Sequence, residues 1–323
     1  MTILMGEDAL AFSTNTKRPL IDQRTGLITN SQLTQAEWAV LDAAVIQRAK
    51  LRLNIVADLR AAGLTQETTL ANMLSQWRVA SERTAATVSM DGRTRSNRDR
   101  TDKQTFGVPV PIIHDAYSIG RRELLASRTL GASLDTTEAA AAASAVIESA
   151  ETMVFNGSSG IVVSGSTIYG LTTHGARKTD TAANFGGGDF GTISNILPTF
   201  LGAISAMAAN RYHGPFSVYA SGTQYIQMLA RYADGSGQKA LDAVLDLPQI
   251  ASVQPSDFLS DGVIVLVQMT SDVIDLVQAG TVENREWVAP DGEELFFKVM
   301  MVMAPRLKQD YAGNLGVCHI TGA

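Results

Sequence analysis

Apolar positions along this chain keep several different periods, and each period predicts an element. Residues 2–32 show none: Thr and Asn are frequent, Pro19 and Gly26 interrupt, and the segment reads as an extended arm. From Thr34, with Glu37 three positions on, Trp38, Leu41 and Val45 recur at helical spacing. A thinner pattern through Ile46, Leu51, Leu53 and Ile55 carries this predicted helix to Gly63. A shorter helix is expected over residues 68–75. β-Branched and aromatic residues then take over. Val79, Thr84, Thr87 and Val88 predict an outgoing strand, Asp91-Gly92 a turn, and Phe106, Val108, Val110, Ile112 and Ile113 a returning strand. A lone two-stranded ribbon is marginal in water and needs a surface to lie on.

The longest helical signal follows. Asp135 with Glu138 forms a capping-box pattern, the run behind them is rich in alanine, and Asn156-Gly157 supplies a left-handed stop. About twenty residues at ~1.5 Å each give a rod of roughly 30 Å. Residues 158–191 are rich in Gly and Thr, with short strand-like pieces at 161–163 and 167–171, and mark a candidate domain boundary. Beyond it, Ile193, Ile196, Phe200, Ile204 and Met207 share a helical stripe that stops at Asn210 and Gly214-Pro215. A strand over 216–220, a helix over 223–232 and strands over 262–269 and 273–279 are interleaved as in an α+β or α/β layer. Residues 295–303 are apolar nearly throughout, and 315–320 form another short strand; both read as central strands buried on two faces.

At 323 residues the chain can build one large or two ordinary domains without metal or disulfide staples. Its 26 basic and 32 acidic side chains leave a net charge of -6, which argues against a protein that coats nucleic acid indiscriminately. The distribution says more than the total. Residues 78–103 hold seven basic side chains (Arg78, Arg83, Arg93, Arg95, Arg98, Arg100, Lys103) and four acidic ones (Glu82, Asp91, Asp99, Asp102), a net +3 on a body of -9. An acidic body with one basic arm suits contact between copies. Cys318, the only cysteine, permits no internal disulfide and reads as a small buried hydrophobe in a reducing compartment. The first ten residues lack the basic start and apolar run of a secretory signal, and the apolar stretches around 139–147 and 295–304 are too short to cross a bilayer.

Candidate chemistry is sparse. His114, His174, His213 and His319 are dispersed and none stands at metal-ligand spacing, so no metal site is expected. Gly186-Gly187-Gly188-Asp189 lacks the lysine and the preceding apolar strand of a phosphate loop and reads as a flexible loop. Ser158 and Ser159 do not stand in a G-x-S-x-G turn. No nucleophile, base and orienting acid assemble, so neither a cofactor nor an enzymatic activity is expected.

The order of these segments resembles a known family. Arm and helix, charged hairpin, Gly120-Arg121-Arg122-Glu123-Leu124, the alanine-rich helix ending Val154-Phe155-Asn156-Gly157, and Ile168-Tyr169-Gly170-Leu171 together resemble the major capsid proteins of tailed phages and the related encapsulins. The likeness extends to residues 216–228 and to the last strands near Ile320. It implies an α+β fold of the phage major-capsid type: N-terminal arm and helix over 1–63, a peripheral-domain segment over 64–76 and an extended β-hairpin loop over 77–113. A peripheral domain with the long spine helix over 114–159, an axial α/β domain over 160–285 and peripheral strands over 286–323 complete it.

The same resemblance implies a structural subunit that joins copies of itself as pentamers and hexamers. These close an icosahedral head around double-stranded DNA, assembled in the host bacterial cytoplasm without a membrane. With no charge-rich helical extension of about a hundred residues expected ahead of the arm, an assembly scaffold would be a separate protein, and portal and decoration proteins are further expected partners. An encapsulin-type compartment around a cargo protein is the alternative, disfavoured by the length of the arm and hairpin. An enzyme built on residues 160–285 is a third reading. Subunit contacts are expected at Arg93, Arg95, Arg98, Arg100 and Lys103 on the hairpin and at Arg121, Arg122 and Glu123. The hairpin arginines would bridge a neighbour's carboxylates rather than contact DNA. Some capsid proteins join subunits when a lysine amine attacks an asparagine beside a carboxylate. Lys103 and Asn314 are the residues that could take those roles, although ionised neighbours would keep Lys103 charged.

Overall fold

The computed structural model describes residues 20–21, 28–29, 37, 39–41, 43–45, 54–83, 85–86, 88–90, 93, 100–130, 136–232, 237–280, 282–288 and 294–323. Most of the N-terminal arm, Thr34, Trp38, Asp91-Gly92, Arg95, Arg98 and Asp135 lie outside these residues. Chain order begins with the paired strands β1 (Leu20–Ile21) and β2 (Ile28–Thr29), then α1 (Ile55–Ala61), β3 (Thr65–Glu67), β4 (Leu74–Ala80) and β5 (Lys103–Pro109). Next come β6 (Ile112–Gly120), α2 (Arg121–Leu130), α3 (Thr137–Asn156), β7 (Gly157–Val163), β8 (Ser166–Tyr169) and β9 (Lys178–Thr181). A 3-10 turn leads into α4 (Ile196–Ala209), followed by β10 (Phe216–Ala220), α5 (Gly222–Met228) and α6 (Ala240–Leu245). The chain closes with β11 (Ile250–Pro255), β12 (Val263–Gln268), β13 (Ile274–Gln278), β14 (Glu283–Val288), β15 (Glu294–Leu307) and β16 (Val317–Thr321).

Two compact units result, residues 1–53, 112–150 and 279–303 in the first and residues 54–111, 151–278 and 304–323 in the second. In the first, β15 runs antiparallel to both β6 and β14. Tyr117 lies opposite Phe297 in the ladder and stacks on it at 4.9 Å and 12°. Trp287 stacks on Phe296 at 5.7 Å. Such cross-strand pairs fix the register, because a slip of one residue would turn every side chain to the other face. The α3 positions Ala139, Ala142, Ala143, Val146, Ile147 and Ala150 are all buried, a stripe at helical spacing made mostly of small side chains. Leu41 and Val45 are buried as their spacing predicts.

In the second unit a five-stranded sheet has the order β11-β10-β12-β16-β9. β10 is parallel to β11 and antiparallel to β12, and β16 is antiparallel to β12 and parallel to β9. Ile264 and Leu266 of β12 enter a cluster with Phe200 and Met207 of α4 and Val244 of α6. Val265 and Val267, which alternate with them, are fully buried as well. Burial on both faces is why this strand reads as a continuous apolar run rather than an alternating one. Cys318 sits in the same core, and burial pushes its thiol up to about 12.

The chain folds back on itself where α3 ends. Gly157 leaves the helix at φ +72 and pairs with Tyr169. The backbone N–H groups of Leu171 and Thr172 donate to the last helical carbonyls, Val154 O at 3.1 Å and Phe155 O at 2.8 Å. Gly170 lies against Gly157 so closely that a methyl group on either would strike the other strand's backbone. The helix stop read from Asn156-Gly157 is therefore a glycine-to-glycine crossing.

The structure departs from expectation at identifiable places. No helix forms over residues 68–75. Thr68 N donates to Gln278 O, β3 pairs in parallel with β13, and the chain turns through Asn72 N to Thr69 O before β4 begins. The returning strand stops at Pro109 instead of running to Ile113, because Pro109 and Pro111 have no N–H to continue the ladder, and β6 starts afresh beside β15. The helix expected to reach Tyr232 ends at Met228, since Tyr232 N bonds Gln238 O and Arg231 bridges to Lys239. The loop at Gly186–Gly188 is folded in, with Gly187 N on Ala182 O and its Cα hydrogens against Thr199 and Asn195 of α4 and its entry turn.

Replacing Gly170 by Ala is expected to lower stability by about 3 kcal/mol in urea unfolding, through backbone collision at the α3 exit. Gly160→Ala, where an added methyl group meets nothing, should change it by less than ~0.5 kcal/mol.

Candidate functional site

Strands β4 and β5 make a seven-rung antiparallel hairpin from Leu74 opposite Pro109 to Ala80 opposite Lys103. A neck closes it beyond the last rung, with Ser81 N on Asp102 O at 2.8 Å and Asp102 N on Ser81 Oγ at 2.9 Å. Towards the root, Ser75 and Val108 face each other and are buried, and Trp77 stacks on Phe106 at 6.0 Å. Beyond the neck Arg83, Val88, Met90, Arg93 and Arg100 are exposed, and the side chains of Val88 and Met90 stand fully in solvent. Glu82 accepts from Arg211 Nη1 at 2.9 Å, but both side chains are about four-fifths exposed, so the pair adds little.

The root is fastened by one guanidinium. Arg306, near the end of β15, donates from Nε to Asp275 Oδ1 at 2.7 Å and from Nη2 to Asp275 Oδ2 and Gln66 Oε1. Its Nη1 donates to Ser75 Oγ at 3.3 Å, and its guanidinium carbon lies 5.6 Å from the centre of the Trp77 ring. Lys308 Nζ approaches Asp275 Oδ2 at 2.7 Å and also bonds Ser271 O. Arg306 and Asp275 are buried. Only arginine offers a planar fork that can hold a carboxylate bidentately, reach an amide and a hydroxyl, and face an indole at once. Side chains of β3, β4, β13 and β15 thus converge on it.

Beside this root lies an open cleft of about 420 Å³ lined by Trp77, Phe106, Tyr169, His174, Leu307 and Gly313 among others. His174 Nδ1 accepts from Ala176 N at 3.1 Å, and His319 Nδ1 accepts from Arg177 Nε at 3.3 Å. Burial first, and the Arg177 charge second, push both imidazoles down to about 4, so each is neutral at physiological pH. Among the described residues no three His, Cys, Asp or Glu side chains gather into a metal-binding group.

The expected contact residues divide between the two units. Arg93, Arg100 and Lys103 are exposed on the hairpin of the second unit. Arg121, Arg122 and Glu123 are exposed in the first turn of α2, in the first unit. Glu123 there suits the positive end of the helix dipole. Asn314 is held by Asp310, N to Oδ1 at 2.7 Å and Nδ2 to Oδ2 at 3.2 Å. The anchor of Asp275, Arg306, Lys308 and Trp77 went unread. Its signal was a carboxylate inside the apolar run 273–279 and an arginine directly after the run 295–304, charges that a buried strand tolerates only when paired.

Residues 28–320 match the family of unknown function DUF6260. The chain belongs to that family. No curated protein matches this DUF6260 member. Among solved structures it is similar to a virus-like particle from Pyrococcus furiosus, at TM-score 0.62 and 15% identity, over 88% of this chain and 98% of that one. It is likewise similar to the capsid of Myoviridae Phage XM1, at TM-score 0.57 and 14% identity over 78% and 87% of the two chains. The capsid of an empty GTA particle gives TM-score 0.57 and 12% identity over 84% and 91%. This DUF6260 chain has the α+β fold of those capsid subunits, the fold class expected from its segment order.

Asp275→Ala should be the most damaging change at the anchor, about 3–5 kcal/mol, since it leaves Arg306 buried without its counter-charge. Arg306→Ala should cost less, because Lys308 still neutralises Asp275. Equilibrium denaturation of the two variants reads the order directly.

Proposed function

We propose that this DUF6260 chain is a shell-forming subunit, the major capsid protein of a tailed-phage head that encloses double-stranded DNA. The observation that carries the reading is the extent of the fold likeness, which takes in 98%, 87% and 91% of three particle-forming chains. The hairpin adds support: its root is locked and its tip projects charged and apolar side chains into solvent, an arrangement that suits a neighbouring copy.

In this reading the basic hairpin, through Arg93, Arg95, Arg98, Arg100 and Lys103, lies over the acidic body of the adjacent subunit, with Arg121, Arg122 and Glu123 as a further contact. Residues 160–285 crowd the five-fold and six-fold axes as an axial domain, whose compact unit also takes in β3 and β16, and residues 114–150 and 286–303 belong to the peripheral one. Assembly takes place in the bacterial cytoplasm, with scaffolding, portal and decoration proteins as separate chains. The subunit does no covalent chemistry on a substrate, which fits a buried, un-ionised Cys318. A second reading, a compartment around a protein cargo, is favoured by one observation, the likeness to the archaeal virus-like particle over nearly its whole chain.

Electron microscopy and sedimentation velocity of the chain expressed alone should show closed shells or ring-shaped capsomers. Monomers at every concentration, with and without co-expressed neighbouring genes, would overturn the proposal, and the enclosed material, DNA or protein, separates the two readings. Changing Arg93, Arg95, Arg98 and Arg100 together to Ser should leave the far-ultraviolet circular dichroism unchanged. Particle yield should fall by about tenfold or more, the factor expected for each ~1.4 kcal/mol lost per contact. A normal yield would exclude the hairpin from assembly.

A further inference from the structure

Helix α1 begins without a cap of its own. Asn54 stands at the N-cap position, yet its side chain makes no capping bond and its Nδ2 donates instead to Pro255 O. The first-turn donors are taken by a residue almost a hundred positions away. Glu151, in the last turns of α3, accepts from Asn54 N at 2.9 Å and Val56 N at 3.2 Å, both on Oε1. Glu151 is fully buried, and its Oε2 has no hydrogen-bond partner. Four groups therefore form one cluster. From α1, Asp58 and Arg60 face the carboxyl electrostatically. From β10, Tyr219 donates its hydroxyl to Asp58 Oδ2 at 2.6 Å and senses both carboxylates.

We infer that Glu151 is a proton-operated latch, which fastens α1 to the end of α3 while its carboxyl is neutral and loosens that fastening when the proton leaves. The geometry sets the direction. Neutral, the group has no charge to strip of water, only an Oε2 hydroxyl without an acceptor, and Oε1 still receives the two backbone N–H groups that α1 cannot satisfy itself. Ionised, it keeps those two bonds but places a charge in a dry site beside Asp58, with one oxygen unserved. Arg60 opposes this only in part; burial pulls the Arg60 guanidinium down, while Glu151 raises it. The net result is a carboxyl pushed up to about 7, with burial the main cause and Asp58 adding to it against the backbone bonds.

In the opened segment the same carboxyl would return to its ordinary value near 4.5. Opening therefore releases a proton as pH rises, and the closing free energy is greatest below that ordinary value and is lost progressively up to about pH 7 and its vicinity. The latch belongs to the single chain and holds whether or not shells form.

Hydrogen exchange of the full-length chain, followed by mass spectrometry and corrected for intrinsic rates, tests this. Protection of the amides of residues 54–62 should fall about tenfold between pH 6 and pH 8, as linkage requires for that difference between closed and open carboxyl. Protection of β12 and β16 should not change over the same range. In Glu151→Gln, neutral at every pH, protection of α1 should be flat. An equal slope in Glu151→Gln, no slope in the wild type, or the same slope in β12 and β16 would each overturn the latch. Should Glu151→Gln fail to fold, Asp58→Asn serves in its place. Removing the neighbouring charge should move the midpoint of the slope to lower pH, and an unmoved midpoint would refute the assignment.

Discussion

Arg306 and Asp275 face each other in the interior of the second unit, and the hairpin can project because that pair holds its root. A two-stranded ribbon has no stability to spare, and seven rungs would splay in water if only their own ladder held them. The guanidinium supplies what the ladder lacks. It touches Ser75 and lies over Trp77 on β4, while Gln66 of β3 and Asp275 of β13 bind it to strands of the same unit. Taking two charges out of water is costly, and an apolar cluster of the same volume could be as stable or more so. What the ion pair adds is direction: four bonds from a planar fork to Asp275, Gln66 and Ser75 fix the orientation of the root. Lys308, less deeply placed, balances the second half of the carboxylate.

That division between locked root and open tip is mirrored in the distribution of charge. Inside, charge is paired to the last atom around Asp275. Outside, the hairpin carries an excess of positive side chains on a chain whose remainder is acidic. Long-range attraction between the two kinds of surface acts over about a Debye length, ~8 Å at physiological salt, and so orients copies only as they come close. A stiff root matters here, because a charged tip on a loose stalk would spend its attraction on ordering itself.

Much of this fold was legible in the sequence where one physical signal dominated. Residues 216–220 and 295–303 are strands because buried β positions read as unbroken apolar runs, and α3 was visible from its alanine stripe and its glycine stop. Short elements were lost. β3 and β14 carry polar or mixed side chains, and what makes them strands is a partner distant in sequence, β13 for Thr65–Glu67 and β15 for Glu283–Val288. Residues 68–75 satisfied a helical pattern locally, and the parallel pairing of β3 overrode it. That a hairpin forms was legible, but its outgoing strand was not placed: expected through Val79 to Val88, it runs over Leu74–Ala80, and Val88 lies beyond it. Its anchor was not legible either: Asp275 and Arg306 are 31 positions apart, and Ser75 lies 231 from Arg306. No window on the sequence spans such a contact. Glu151 was hidden for the same reason, since Asn54 and Val56 lie 97 and 95 positions from it.

Cys318 has a consequence of a different kind. The one sulfhydryl of the chain is packed in the sheet core with its thiolate form suppressed, so the exterior offers no thiol to maleimides or disulfide exchange. A cysteine placed at an exposed position would be the sole reactive handle on each copy. Wherever many copies come together, that handle would be repeated once per subunit at a fixed point, a ready-made lattice for attaching labels or ligands at regular spacing.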